Sequence, residues 1–294
     1  MENDNIIRSL LKVRMSISAW TGKVKATALE REAEETHDAE RGTVDTKIIQ
    51  LPEKYAKTIG SACSQLRTYW NDNTLPWEDG GDRIIGTNNV QEVMDRVEEL
   101  IEKFNKAVGE FKDNYTEALE TTKGKLAGLF VPAKFPSELE LFGDGSKSNP
   151  GKYGVRIWRN VIPLSEDIRV TGLTEDQVNK TKKDIEDHCS NQIQTAVSNV
   201  VVRLSKLAGD IVERMNKPTE EVKYGTLLPK IKKITESLDK LNITGNADLS
   251  NLINQIKDIE VKNDKDLLSV NATVREEVKE KATSVLDALK NFGG

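Results

Sequence analysis

The densest group of residues that could do chemistry lies between positions 71 and 83. Four carboxylates fall in this segment: Asp72, Glu78, Asp79 and Asp82. Carboxylate oxygens are the ligands that Mg²⁺ and Ca²⁺ prefer, so two or three of them could form a divalent-metal site, although the spacing matches no EF-hand. The interpretation that we favour is structural. In it the carboxylates bind loop amides and Arg83, while Leu75 and Trp77 pack into the core.

Histidine and cysteine offer little for catalysis. The chain has two of each: His37, Cys63, His188 and Cys189. His188 and Cys189 are neighbours on a predicted helix and point about 100° apart, so they are poorly placed to share one metal ion. Structural zinc usually takes four ligands at close spacing, which these residues do not provide. A catalytic triad needs a histidine beside a nucleophile, and the chain has only two histidines and no base–nucleophile motif. We therefore predict two reduced thiols, no catalytic residues, no metal site and no cofactor.

The segment from Gly143 to Ser148 has the composition of a phosphate-binding loop but not its pattern. A Walker loop places glycine directly before the lysine, whereas Ser146 precedes Lys147 here, and no apolar strand leads into the segment. We predict a flexible surface insertion over residues 143–151.

Residues 122–160 are basic and aromatic, with seven basic and three acidic side chains. Interleaved basic and aromatic residues can follow single-stranded nucleic acid. The candidate nucleic-acid-binding residues are Lys123, Lys125, Lys134, Lys152, Arg156, Trp158 and Arg159. The alternative, which we favour, is that the aromatic side chains belong to the core and the charges form a solvated rim.

Three short segments have the pattern of strands, and together they predict a small sheet. Residues 13–20 alternate apolar and polar side chains, which is typical of a half-buried strand. Residues 153–158 and 167–171 are the other two.

The glutamate-rich segment 26–42 has few apolar residues and predicts an exposed, poorly docked helix that could mimic nucleic acid towards a basic partner.

Apolar residues at three- and four-residue steps predict helices over about 47–69 and 88–123. A capping box at Thr174 opens another long helix, which Pro218 ends. Three amphipathic segments follow it. The predicted fold is α+β, mainly α: two long antiparallel helices with a small β-sheet and a C-terminal helical subdomain. The predicted domains are 1–216, a helical core with the small sheet, and 217–294, a helical hairpin plus one helix.

Composition agrees with a helical protein and restricts its partners. Of the 294 residues 37% are hydrophobic and 31% are charged, a balance that suits long helices with one apolar stripe. The net charge of −5 gives no overall attraction to nucleic acid or to an anionic membrane. No apolar run reaches the roughly 20 residues that span a bilayer, and the N-terminus has no signal-peptide pattern. We expect no membrane association and a cytoplasmic location.

Several short motifs follow one another along about residues 10–215 in an order that is informative. The most specific lies on residues Thr74, Leu75, Pro76, Trp77, Asp79, Gly81 and Arg83. The others are Trp20-Thr21-Gly22, Phe111 with Tyr115, Leu129-Phe130, Phe135-Pro136-Ser137, and Pro163 with Asp167, Arg169 and Val170. Together they resemble the DUF3150 family of uncharacterised phage and mobile-element proteins. The insertion at 143–151 and the chain after Pro218 lie outside the resemblance.

The resemblance implies a phage or integrative-element setting, often near recombination genes and a MoxR-type ATPase with its von Willebrand A-type partner. It implies no established activity, so we carry over no catalytic residue from the family. For a phage-encoded protein the expected location is the cytoplasm of the host cell. Our first hypothesis is a non-enzymatic accessory protein that binds another protein or itself as an oligomer. The alternatives are a nucleic-acid-binding accessory protein of recombination or replication, and a metal-dependent hydrolase.

Overall fold

A computed structural model describes residues 2–130, 132, 135–146, 148–168 and 170–292. The chain is mainly α-helical and contains a small antiparallel sheet of four strands, which confirms the predicted α+β, mainly α class. The helices are α1 (Glu2–Arg8), α2 (Thr27–Thr36), α3 (Glu53–Asn73), α4 (Val90–Asp113), α5 (Tyr115–Leu126), α6 (Glu138–Phe142), α7 (Glu175–Asn216), α8 (Tyr224–Lys240), α9 (Ala247–Lys262), α10 (Lys265–Val270) and α11 (Ala272–Lys290). The predicted antiparallel pairing of two long helices stays a prediction.

The strands form one sheet of four and one of two. Their bounds are β1 (Leu10–Ser18), β2 (Lys23–Lys25), β3 (Lys47–Ile49), β4 (Leu75–Glu78), β5 (Asp82–Gly86) and β6 (Gly154–Asn160). The larger sheet has the order β4-β5-β1-β6, and β2 pairs with β3 separately. Pro76 lies on β4, at one end of that order, where proline's missing N–H does little harm because one side of an edge strand needs no partner.

The chain divides into two compact units, each made of separated segments. The first unit comprises Met1–Arg14, Trp70–Met94 and Trp158–Gly294, and the second comprises Met15–Tyr69 and Asp95–Ile157. This division differs from the predicted boundary at residue 216. The physical reason is that the C-terminal helices share one apolar core with α7 instead of forming a core of their own.

The core of the first unit is built along α7, which has 42 residues. The helix begins at the predicted capping box, where the Thr174 side chain accepts a hydrogen bond from the Gln177 backbone N–H at 3.3 Å. Its buried residues recur at three- and four-residue steps: Cys189, Ile193, Ala196, Val200, Leu204, Leu207, Ala208, Ile211 and Met215. The helix ends two residues before Pro218, as its sequence predicts. Arg275 of α11 then donates to the carbonyl oxygens of Met215 and Lys217 at 2.9 and 2.5 Å.

The core of the second unit centres on aromatic rings. Phe111 is fully buried, with ring centroids 5.0 Å from Tyr55, 5.3 Å from Phe142 and 6.2 Å from Tyr153. Phe135 packs edge-on against Trp20 at 5.5 Å. Most aromatic side chains of the basic segment are therefore part of this core.

Four predicted elements are wrong in their form. The helix predicted over 47–69 begins only at Glu53, because Lys47–Ile49 pair with β2 as strand β3. Residues 71–83 are not a loop, because they contain β4 and the start of β5. The predicted helix over 88–123 is broken at Asn114, whose side chain bonds back to the Glu110 carbonyl at 2.7 Å. The predicted strand at 167–171 does not form, since Asp167 ends a short 3₁₀ helix and caps the Leu164 backbone N–H at 3.1 Å. Arg169 lies outside the described residues.

Two carboxylates of the glutamate-rich helix bind the loop that follows it. In α2 both Glu30 and Glu34 are buried. The Glu34 carboxylate accepts a hydrogen bond from the backbone N–H of Gly42 at 2.8 Å. The Glu30 carboxylate accepts one from the backbone N–H of Thr46 at 3.0 Å. These two carboxylates hold the loop that follows the helix, whereas Glu32 and Glu35 are exposed, as predicted. The poor docking of the helix stays a prediction.

The insertion at 143–151 is a loop whose two ends lie close together, and its flexibility stays a prediction. Its ends are joined by a hydrogen bond from the Lys152 N–H to the Leu141 carbonyl at 2.8 Å. A side chain at Gly143 would come within 2.3 Å of the Asn149 carbonyl oxygen, and one at Gly151 within 2.6 Å of Phe142 backbone. Glycine is needed at both positions to bring the two ends together.

Gly22, in the Trp20-Thr21-Gly22 motif, is predicted to tolerate no side chain. Its φ is +69°, and an added Cβ would lie 2.3 Å from the Leu51 Cβ. We expect Gly22→Ala to lower the free energy of unfolding by about 2 kcal/mol. The control is Gly60→Ala within α3, where nothing lies near the new methyl group and the change should raise stability by about 0.5–1 kcal/mol. Urea unfolding of both variants checks this, and equal midpoints would contradict it.

Candidate functional site

The Thr74–Arg83 motif caps the C-terminus of α3. The last carbonyl groups of a helix have no partner within the helix and form the negative end of its dipole. The Thr74 hydroxyl donates to the Trp70 carbonyl oxygen at 2.6 Å. Arg83 donates through Nε to the Thr74 hydroxyl at 2.5 Å, and through one terminal nitrogen to the carbonyls of Thr74 at 2.7 Å and Asn71 at 3.3 Å.

A second arginine reaches the same helix end from α7. Arg203 donates to the carbonyl oxygens of Asp72 and Thr74, both at 3.2 Å, and the Ser237 hydroxyl also donates to Asp72. Burial, with Arg203 nearby, lowers the pKa of Arg83 to about 10, and burial also lowers the pKa of Arg203. Both guanidinium groups donate to carbonyl oxygens at the helix end, and the Asp72 carboxylate partly offsets the charge of Arg203.

The predicted pairing of Arg83 with loop carboxylates is therefore wrong. The helix carbonyls occupy the guanidinium, because strand β5 directs Arg83 towards the end of α3. The other part of the prediction is confirmed, since Leu75 and Trp77 are buried at 0% and 1% exposure. Gly80 and Gly81 both have positive φ at the hairpin turn, which glycine adopts without strain.

Three of the four carboxylates of the segment pair with cations, and Glu78 and Asp82 share Lys12. Asp82 accepts from Arg14 Nε at 2.6 Å, and this hydrogen bond holds the pKa of Asp82 below its usual value. Glu78 lies 3.2 Å from His188 and 3.6 Å from Lys12. Asp72 pairs with Lys233 at 2.9 Å, while Asp79 is exposed at the turn. Among the residues that the structure describes, no three His, Cys, Asp or Glu side chains converge as metal ligands.

Neither cysteine is placed as a nucleophile. Cys63 and Cys189 are both buried, and burial raises the pKa of each thiol, which disfavours the reactive thiolate. His37 is exposed just after α2.

The candidate nucleic-acid-binding residues do not form one cluster on one element. Lys123 and Lys125 lie in the last turn of α5, where Lys123 pairs with Glu120 at 2.5 Å. Lys152 is exposed ahead of β6, and Lys134 lies outside the described residues. The remaining three, Arg156, Trp158 and Arg159, are exposed on β6.

The C-terminal end of β6 is uncovered on both faces. Successive strand residues point to opposite faces, yet the last three residues of β6, Trp158, Arg159 and Asn160, are all exposed, as is Val161 directly after the strand. Trp158 is 43% exposed and Val161 80% exposed. In the described part of the chain β6 is also the last strand of its sheet. Alternation predicted the strand but not the exposure of Val161, and the two apolar residues that flank Arg159-Asn160 are the signal that could have revealed it. We name residues 158–161 the β6 end.

Comparisons with known proteins leave the family open. No helix within the described ranges is long and apolar enough to cross a membrane. Compared with family models, with curated proteins and with solved structures, the chain shows no significant match in any of the three. The resemblance to the DUF3150 family, which is carried by the α3-capping hairpin and the shorter motifs, therefore stays a prediction.

Proposed function

We propose that this protein is a non-enzymatic accessory protein that binds a partner protein through the β6 end. The observation that carries the proposal is the exposure of Trp158 and Val161 at the uncovered edge of a sheet. The phage or mobile-element setting and the host-cell cytoplasm are part of the proposal and rest on the motif resemblance alone.

An open sheet edge presents unpaired backbone N–H and C=O groups, which another extended chain can bind by adding a strand. Tryptophan is among the residues that contribute most to protein–protein binding energy. Trp158 and Val161 therefore add apolar contact area beside the backbone groups of the edge. Strand addition explains why the apolar side chains of Trp158 and Val161 face solvent.

Charge indicates the chemistry of the partner segment. Residues 154–161 contain two exposed arginines, Arg156 and Arg159, and no acidic residue. An extended segment with carboxylates would complement them, whereas a second copy of this chain would place further arginines on the same surface, which opposes pairing. We therefore propose an acidic, extended segment of a different protein as the occupant.

The nucleic-acid alternative has weaker support. Base stacking needs exposed aromatic faces along the binding path. Of the five aromatic side chains at 130–158, Phe130, Phe135, Phe142 and Tyr153 are buried or half-buried, and Trp158 alone is exposed. The metal-dependent hydrolase alternative is weaker still, because among the described residues no three His, Cys, Asp or Glu side chains converge as metal ligands.

Site-specific photo-crosslinking in the host cell tests the proposal. The full-length chain carries a photo-reactive residue in place of Trp158, or in place of the exposed Glu236 on α8 as the matched control. We expect a discrete crosslinked protein from position 158 only, with the crosslink in an acidic segment. Arg159→Glu should reduce its yield at least about fivefold, because the carboxylate repels that segment.

Three outcomes would contradict this proposal. They are equal crosslinking from positions 158 and 236, a crosslinked product of two copies of this chain, and a nuclease-sensitive product. The last of these would favour the nucleic-acid alternative, which gel shifts at low and moderate salt would then examine, since phosphate contacts weaken steeply with salt.

A further inference from the structure

A cleft of about 350 Å³ opens in the first unit, at the C-terminal turn of α3. The helices α7 and α8 form its walls. The lining residues are Asn71, Asp72, Arg203, Lys206, Leu207, Asp210, Lys230, Lys233, Ile234, Ser237 and Leu238. A volume of this size lies within the range of roughly 300–1,000 Å³ that is typical of small-molecule sites.

The floor and the rim of the cleft differ in chemistry. Leu207 and Leu238 are buried side chains and Ile234 is half-buried, so the floor is apolar. The rim carries polar and charged groups from both helices. An apolar floor under a few convergent polar groups is the usual construction of a site for an organic ligand.

Positive charge exceeds negative charge around the rim. Arg203, Lys206, Lys230 and Lys233 are the cations, and Asp72 and Asp210 are the anions. Lys230 pairs with Asp210 at 2.6 Å and Lys233 with Asp72 at 2.9 Å. Lys206 is exposed and forms no ion pair with any residue that the structure describes. Lys206 is therefore left without a carboxylate, and Arg203 shares the charge of Asp72 with Lys233.

Arg203 adds a partly buried charge to this excess. Its terminal nitrogens donate to the carbonyls of Asp72 and Thr74, and burial lowers its pKa because the charge is removed from water. An anion in the cleft would compensate for this lost hydration. Lysine and arginine are the side chains that bind phosphate groups most often.

We propose that the cleft binds an organic phosphate monoester of nucleotide size, with its apolar ring system on the Leu207–Ile234–Leu238 floor and its phosphate at Lys206 and Arg203. The two ends of such a ligand match the two chemistries of the cleft. This inference is independent of the β6 end, whose residues do not line the cleft.

Isothermal titration calorimetry of the full-length chain tests the inference with three probes. Adenosine monophosphate carries both groups, adenosine lacks the phosphate, and inorganic phosphate lacks the ring. We expect the monophosphate to bind at least about tenfold more tightly than either fragment, because the floor and the rim act together. Raising the salt concentration should weaken its binding, since the phosphate contacts are ionic.

Lys206→Gln is the diagnostic variant, because Lys206 is exposed and its loss breaks no ion pair. We expect it to weaken monophosphate binding at least about fivefold, which corresponds to roughly 1 kcal/mol. The matched control is Lys232→Gln, an exposed α8 lysine outside the cleft lining, which should leave binding unchanged.

Several results would overturn the inference. One is the absence of monophosphate binding at low salt, and another is equal weakening by the two lysine variants. A third is inorganic phosphate binding as tightly as the monophosphate, which would mean that the rim attracts anions without the floor contributing.

Discussion

Replacing Trp77 with alanine lowers the free energy of unfolding by about 3–5 kcal/mol, the largest effect that we expect from any single substitution discussed here. Trp77 is 1% exposed and belongs to the apolar core of the first unit. Its removal costs the transfer free energy of the indole and leaves a cavity between β4 and α7, which pack on each other. Equilibrium unfolding in urea, followed by far-ultraviolet circular dichroism, measures the change.

The chain contains a matched control for this substitution. Trp158 is 43% exposed, so Trp158→Ala removes little buried surface and should change stability by less than about 1 kcal/mol. Similar losses for the two tryptophans would contradict the assignment of Trp77 to the core and Trp158 to the surface.

Arg83→Met is expected to destabilise the protein by about 3 kcal/mol. Methionine fills similar space but leaves the carbonyl of Asn71 without its donor and that of Thr74 with Arg203 alone. The charge at the negative end of α3 is lost as well. The same urea titration measures the change.

Two companion variants separate the effect of the positive charge from that of the guanidinium geometry. Arg83→Lys keeps the positive charge but loses the planar fork, so its stability should fall between those of the wild type and Arg83→Met. Arg67→Met removes an exposed arginine from the same helix and should change stability by no more than about 0.5 kcal/mol. If Arg83→Met behaved like Arg67→Met, the capping role of the motif would be wrong.

Helix periodicity and capping are what the sequence predicted best. The capping box at Thr174, the buried stripe of α7 and its end before Pro218 are local features, because they depend on residues three or four positions apart. Strand β1 was also found from its alternation, with its start three residues earlier than predicted. Periodicity reports on the chain within one element, and it was sound for α7 and β1 but not for the strand predicted at 167–171.

The errors arise where distant residues decide the structure. The segment 71–83 looked like a loop because it is rich in Asp, Asn and Gly, and its pairing with β1 depends on residues about seventy positions away. Arg83 has several carboxylates close by in sequence, yet it binds the helix carbonyls at 71 and 74. Composition also misled at Glu30 and Glu34, since burial of a carboxylate depends on the backbone N–H groups that it meets.

The cleft could not be predicted from the sequence for the same reason. Its cations lie in two pairs at three-residue spacing, Arg203 with Lys206 and Lys230 with Lys233, each of which looks like an ordinary solvated helix face. Only the packing of α7 beside α8, at the end of α3, brings them over a common apolar floor. The β6 end was closer to detection, because its strand was predicted and its tryptophan was noted.

Hydrogen–deuterium exchange of the β6 end, with and without the partner captured by crosslinking, tests the central claim most directly. Strand addition predicts that backbone amides within residues 158–161 exchange rapidly in the free protein and become protected in the complex, because they gain hydrogen bonds to the added strand. Protection of other segments, with the exchange of residues 158–161 unchanged, would contradict the account.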